Sequence, residues 1–302
     1  MNKEKFKGVF TALLTPYENG KLNEKSLKKL IDFNIKCGVN GFYVGGSTGE
    51  GAILSTEERK ELFNTVGELN AGRVTLIAHV GSPSTDTAVE LAEAAYSAGF
   101  DAVSAVAPYY YAHNYDAIKS YYSEIANATP LPMIIYNFPL AGSFNLTPQK
   151  AADLLANKKI IGIKHTSQDL FALERLKSLD NPPIVFNGYD EMFAGGLIMG
   201  ADGGIGSTYN FMPHKIVSIY RAFKDKDVDK VMKLQHEAND IIQKIIDASG
   251  KCGIMNAEKA ILTAMGIPMG QCKKPFLPIE KEDEYKMKEI ADGLISEIGG
   301  SL

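Results

Sequence analysis

A short apolar run followed by an amphipathic stretch recurs along the first 225 residues of this chain, and that rhythm limits the fold more than any other feature. The apolar runs cover residues 8–14, 41–45, 75–80, 102–106, 132–137, 160–164, 184–187 and 203–207. Runs of this kind predict strands buried on both faces, as in a parallel sheet with helical crossovers. Residues 24–37, 56–70, 86–98, 117–127, 148–156, 170–178 and 191–199 predict those helices. Ser55, Thr147 and Asp190 stand where helix N-caps are expected, and Pro148 follows the second of them. Eight strand units within 225 residues match an α/β fold, a (β/α)8 barrel. The alternative is a doubly wound sheet. That fold would bring a glycine fingerprint after the first strand, and residues 11–16 have none.

Residues 226–302 read differently. Val231, Leu234, Ala238, Ile241, Ile242, Ile245 and Ile246 fall at three- and four-residue steps, and 257–265 and 285–298 predict two more helices. No linker separates the two parts. The expected organisation is therefore a barrel over residues 1–225 carrying the active site, with helices in 226–302 packed on it as one structural unit. The net charge of −4 gives no basic field for nucleic acid or an anionic membrane. No apolar stretch approaches the ~20 residues of a membrane span, and the start lacks a signal-peptide core, so a cytoplasmic protein is expected. Cys37, Cys252 and Cys272 are odd in number and widely spaced, and read as reduced thiols. The five histidines show no metal spacing, and the four arginines fall outside the motifs below, which argues against a substrate with several phosphates.

Barrel enzymes carry their chemistry at the C-terminal ends of the strands. The unusual polar and glycine-rich residues of this chain lie at those ends. Lys164 closes the apolar run 160–164, where a cation needs a solvating pocket or loses its proton. A neutral amine there is a nucleophile toward carbonyl carbon; the alternative is a lysine snorkelling to solvent. Tyr136 ends the preceding strand and is expected beside Lys164, either as a proton-relaying phenol or as an aromatic capping the barrel core. After the second strand, glycines surround Ser47 and Thr48, and such a loop is either a nest for one small anion or a tight turn. Asp190 and Glu191 open a helix as cap and first-turn acid, or accept hydrogen bonds from a polyhydroxylated substrate. Residues 203–206 and Ser207 could grip phosphate or neutral hydroxyls. The run Tyr109-Tyr110-Tyr111 suggests an interface, with a lid as the alternative.

Five motifs in register then carry a resemblance: residues 45–50, Tyr136-Asn137-Phe138-Pro139, Gly162-Ile163-Lys164-His165-Thr166-Ser167, Asn187-Gly188-Tyr189-Asp190-Glu191, and residues 203–210. Together they resemble the N-acetylneuraminate lyase family, part of the class I pyruvate aldolase superfamily shared with dihydrodipicolinate synthase. The likeness runs from residue 8 to residue 276. The synthase pattern has an arginine two residues after the proline of the tyrosine motif. Here that position is Ala141, between Leu140 and Gly142. The resemblance implies a lyase of sialic acid degradation, with Lys164 as Schiff-base lysine and Tyr136 as proton-transfer group. It further implies Ser47 and Tyr110 as a hydroxyl relay, Tyr110 reaching in from a neighbouring subunit. Ser47 and Thr48 would hold the pyruvyl carboxylate, and Thr166, Gly188, Asp190, Glu191 and Ser207 the N-acetylmannosamine portion. No cofactor is implied; the partners are small molecules and further copies of the chain, as a homotetramer. Alternatives are a related aldolase acting on another 2-keto-3-deoxy sugar acid and a non-catalytic sugar-acid-binding regulator.

Overall fold

The protein is described by a computed structural model over residues 2–141 and 144–300, the side chain of Ala141 excepted. Gly142, one of the neighbours of position 141 weighed against the synthase pattern, lies outside the described residues. Among the described residues, eight parallel strands close into a barrel: β1 (Gly8–Ala12), β2 (Gly41–Val44), β3 (Thr75–His79), β4 (Ala102–Val106), β5 (Met133–Asn137), β6 (Ile160–His165), β7 (Ile184–Asn187) and β8 (Gly203–Gly206). Each strand pairs with the one before it, and β1 pairs with β8 to close the ring. The barrel expectation holds, and the doubly wound alternative is excluded.

The two-residue period of a strand explains the two cores. Alternate residues such as Phe10, Tyr43, Ile77, Ile134, Phe186 and Ile205 point inward and fill the barrel, with Phe6 of a 3-10 turn (Lys3–Phe6) at one end. Their neighbours, among them Val9, Phe42, Leu76, Ile135, Ile163 and Val185, face the surrounding helices. This alternation decides where the strand-end residues go. Because Ile135 and Ile163 face the helices, Tyr136 and Lys164 turn into the barrel.

The crossover helices are α1 (Glu24–Cys37), α2 (Thr56–Asn70), α3 (Thr85–Ser97), α4 (Tyr115–Ala128), α5 (Pro148–Leu154), α6 (Leu170–Lys177) and α7 (Phe193–Ile198). Ser55 caps α2 in a full capping box with Glu58, and Thr147 caps α5 with Pro148 in its first turn. The N-cap expectation for Asp190 fails. Residues Asp190–Met192 form a separate 3-10 turn with Tyr189 at its N-cap, and the Asp190 carboxylate is drawn inward instead. The first strand also ends earlier than expected. Residues 17–22 turn back in a small antiparallel hairpin, Tyr17–Glu18 with Lys21–Leu22.

Helix α8 (Pro213–Lys224) was not among the expected helices; it completes the ring and is followed by α9 (Val228–Ser249), α10 (Ile254–Ala264) and α11 (Lys281–Glu297). These last three pack on one another, and α9 also lies against α7 and α8. No helix is long and apolar enough to cross a membrane among the described residues. Cys37, Cys252 and Cys272 are unpaired.

Candidate active site

Lys164 is 5% exposed, and Tyr136 stands directly across from it in the β5–β6 register. The Lys164 Nζ lies 4.0 Å from the centre of the Tyr136 ring and 4.6 Å from that of Tyr43. The lysine therefore does not snorkel to bulk solvent. It ends inside the mouth of the barrel, against two aromatic faces. Phe138 stacks parallel to Tyr136 at 5.7 Å and fixes the plane of the phenol ring.

Around this pair opens a cleft of about 300 Å³. Nine of the ten expected site residues line it: Ser47, Thr48, Tyr136, Lys164, Thr166, Gly188, Asp190, Glu191 and Ser207. Tyr110 does not. It is 88% exposed, at the left-handed φ of 81° that a tyrosine rarely adopts, and its ring packs edge-on against Tyr111. The interface reading of the tyrosine run thus has an exposed aromatic pair to rest on, Tyr110 and Tyr111.

The Ser47 loop is held from three sides. The buried His79 donates from Nδ1 to the Gly45 carbonyl (3.2 Å) and accepts the Val106 N–H at Nε2 (3.3 Å). That pairing fixes a neutral tautomer. Burial, with Arg59 and Lys164 nearby, holds the ring well below the ordinary histidine range. Thr15 donates to the Gly49 carbonyl, and Glu50 forms a fully buried ion pair with Lys259 of α10 at 2.5 Å. Among the described residues no backbone carbonyl accepts the N–H groups of Ser47 and Thr48, so the loop can offer them to an anion in the cleft.

On the opposite loops, two glycines are dictated by close approach. A Cβ at Gly188 would overlap the Thr166 hydroxyl, and one at Gly206 would overlap the Asp190 carboxylate. Asp190 accepts the Thr208 N–H (2.9 Å) and hydroxyl (2.7 Å), and burial pushes its pKa up to about 6. At neutral pH it is mostly a carboxylate, already half satisfied by the protein. Among the described residues the buried Thr166 hydroxyl has no partner, which leaves it able to meet a ligand. His165, between the Asn137 amide (3.0 Å) and the Asp169 carbonyl (3.1 Å), is a structural brace.

Three polar residues that the motifs did not indicate come from the C-terminal helices. Gln235 and Asn239 of α9 donate to the Asp190 and Glu191 carbonyls (3.0 and 3.1 Å), holding the β7 loop. Glu258 of α10 lines the cleft itself and accepts the Ser207 hydroxyl at 2.6 Å. The one signal for Glu258 in the sequence is a charged pair, Glu258-Lys259, inside an otherwise apolar stretch of helix.

An amine beside a phenol, an anion nest, and a rim of carboxylates and hydroxyls suit a 2-keto acid with a hydroxylated arm. Comparisons with known proteins agree. The family model described as the dihydrodipicolinate synthetase family matches residues 5–293. The chain is 40% identical to the N-acetylneuraminate lyase of Rhizobium meliloti (strain 1021), over 94% of each chain. The crystal structure of CdNal from Clostridium difficile in complex with mannosamine superposes with a TM-score of 0.91 at 36% identity, covering 95% of this chain and 99% of that one. The Ruminococcus gnavus sialic acid aldolase, solved as a catalytic lysine mutant, gives 0.93 at 32% identity, covering 98% and 97%.

Proposed function

Since the chain belongs to the dihydrodipicolinate synthetase family, among the N-acetylneuraminate lyases, we infer that it cleaves N-acetylneuraminate to pyruvate and N-acetyl-D-mannosamine through a lysine Schiff base. The observation that carries this reading is Lys164 held beside Tyr136 at the inner end of a cleft rimmed by hydroxyls and carboxylates.

In this reading the Lys164 amine adds to C2 of the open-chain sugar acid, and the C2 oxygen leaves as water. The iminium that results is an electron sink. Tyr136 takes the C4 hydroxyl proton, directly or through the substrate carboxylate. The C3–C4 bonding pair then moves into an enamine, and C4 departs as the aldehyde of N-acetylmannosamine. Protonation at C3 and addition of water to the imine release pyruvate and return the amine. Ser47 and Thr48 hold the pyruvyl carboxylate with their hydroxyls and N–H groups. Thr166, Gly188, Asp190, Glu191 and Ser207 take the hydroxylated arm. Ser47 continues the proton relay to Tyr110 of a neighbouring subunit, in a homotetramer that works in the cytoplasm.

Pyruvate release from N-acetylneuraminate, followed by coupled reduction, tests the reaction. Borohydride added in the presence of pyruvate is expected to leave a stable adduct on the Lys164 peptide. Turnover without any adduct at Lys164 would remove the Schiff base from the mechanism.

A further inference from the structure

One wall of the cleft is built by the C-terminal helices, from Ile242, Ile245 and Ile246 of α9 with Ile254 and Glu258 of α10. Glu258 is the carboxyl among these isoleucines, and it is 1% exposed. Its Oε1 accepts the Ser207 hydroxyl at 2.6 Å, while its Oε2 has no hydrogen-bond partner among the described residues. Among the described residues no cation offsets it. The adjacent Lys259 turns away to Glu50. The titratable groups around Glu258 are Asp190 from the β7 loop, whose charge repels it, and Cys272 from the segment behind α10. Burial, reinforced by Asp190, pushes Glu258 up to about 8, so at neutral pH it is mainly the uncharged acid.

We propose that Glu258 is a specificity-determining residue for the hydroxylated arm of the substrate, steadying Ser207 through Oε1 and hydrogen bonding to a substrate hydroxyl through Oε2. A strut for Ser207 alone would leave the bare Oε2 unexplained, since buried polar atoms are nearly always paired. The protonated acid adds a donor to a rim where the Asp190 carboxylate is an acceptor, without adding a second buried charge. A sugar hydroxyl both donates and accepts, so it can bridge the two. The inference rests on the sialic acid reading above, because it requires a polyhydroxylated arm.

The test compares Glu258→Gln and Glu258→Leu with the parent enzyme. Three quantities are read: KM for N-acetylneuraminate, kcat, and the yield of the borohydride-trapped pyruvate adduct, which involves only the pyruvyl end. Leu is expected to raise KM by about 10-fold or more, because it fills the space without hydrogen bonding. Gln, which still donates and accepts, is expected to recover most of that loss, with the pyruvate adduct retained in both variants. A Leu variant with KM within about 2-fold of the parent overturns the proposal. So do a raised KM and a lost pyruvate adduct together in both variants, which is the signature of a strut. A parent enzyme that traps pyruvate but leaves N-acetylneuraminate intact fails the function reading instead. The same three-way comparison on the polyhydroxylated 2-keto acid it does turn over then decides the role of Glu258 separately.

Discussion

At the scale of single residues, the chemistry rests on which way a side chain points at the end of a strand. Lys164 and Tyr136 face the barrel interior because the residues before them, Ile163 and Ile135, are claimed by the helical layer. Tyr136→Phe keeps the ring that stacks on Phe138 and lies beside the amine, and removes only the hydroxyl. It is expected to lower kcat by roughly 10²–10⁴-fold with the pyruvate adduct on Lys164 still formed. Near-normal turnover would take the proton transfer away from this phenol. The strand-end residues were legible because each is a polar or glycine-rich break directly after an apolar run. Glu258, Gln235 and Asn239 were not. They lie on helices where a polar residue normally marks a solvated face, and only the long-range contacts with Ser207 and the β7 loop reveal their place.

Among the elements, the strands and the crossover helices α1–α7 were readable, and the helix after β8 was not. The apolar runs located all eight strands to within two residues, β1 ending two residues early where the hairpin that follows takes the chain out of the sheet. Helix α8 escaped because it follows β8 with only a short 3-10 turn between, so it merges with the segment after the last strand. Asp190 misled because a carboxylate before a helix has two possible partners, the helix N–H groups and Thr208, and sequence does not rank them. The element with most leverage is α10. Its consecutive residues Glu258 and Lys259 reach two different rim loops, Ser207 after β8 and Glu50 after β2. Lys259→Met would leave the buried Glu50 carboxylate without its cation, still accepting the Lys273 N–H. A cost of about 3–5 kcal/mol is expected in chemical denaturation, because an unpaired buried charge is left behind. Adding Glu50→Gln should restore part of it; equal stability of parent and single variant would show that the pair is solvated in solution.

For the whole molecule, we propose that residues 1–225 and 226–302 fold as one unit, since α9 and α10 hold the loops that form the cleft. A single thermal transition, with site and helices lost together, is the expected result; two separated transitions would contradict it. The buried acids make that transition pH-dependent. Asp190 and Glu258, pushed up by burial to about 6 and about 8, keep protons in the fold that the unfolded chain has released. Their favourable contribution is complete below about pH 4 and is lost as pH rises through 6 and then 8. Glu258→Gln removes the upper part of this loss, so its Tm relative to the parent should rise between pH 6 and pH 9. A constant difference over that range would mean that Glu258 titrates normally.

The closure of the ring by β1 and β8 also shapes how the chain comes into being. The first strand is made early, but the partner for its open edge, Gly203–Gly206, follows roughly 200 residues later. At synthesis rates of ~5–20 residues per second, that edge waits on the order of 10–40 s for its neighbour. Any chain released before β8 carries two unpaired strand edges, and an unpaired edge invites pairing with another molecule. Incomplete copies of this protein are therefore expected to aggregate rather than persist as smaller folded pieces.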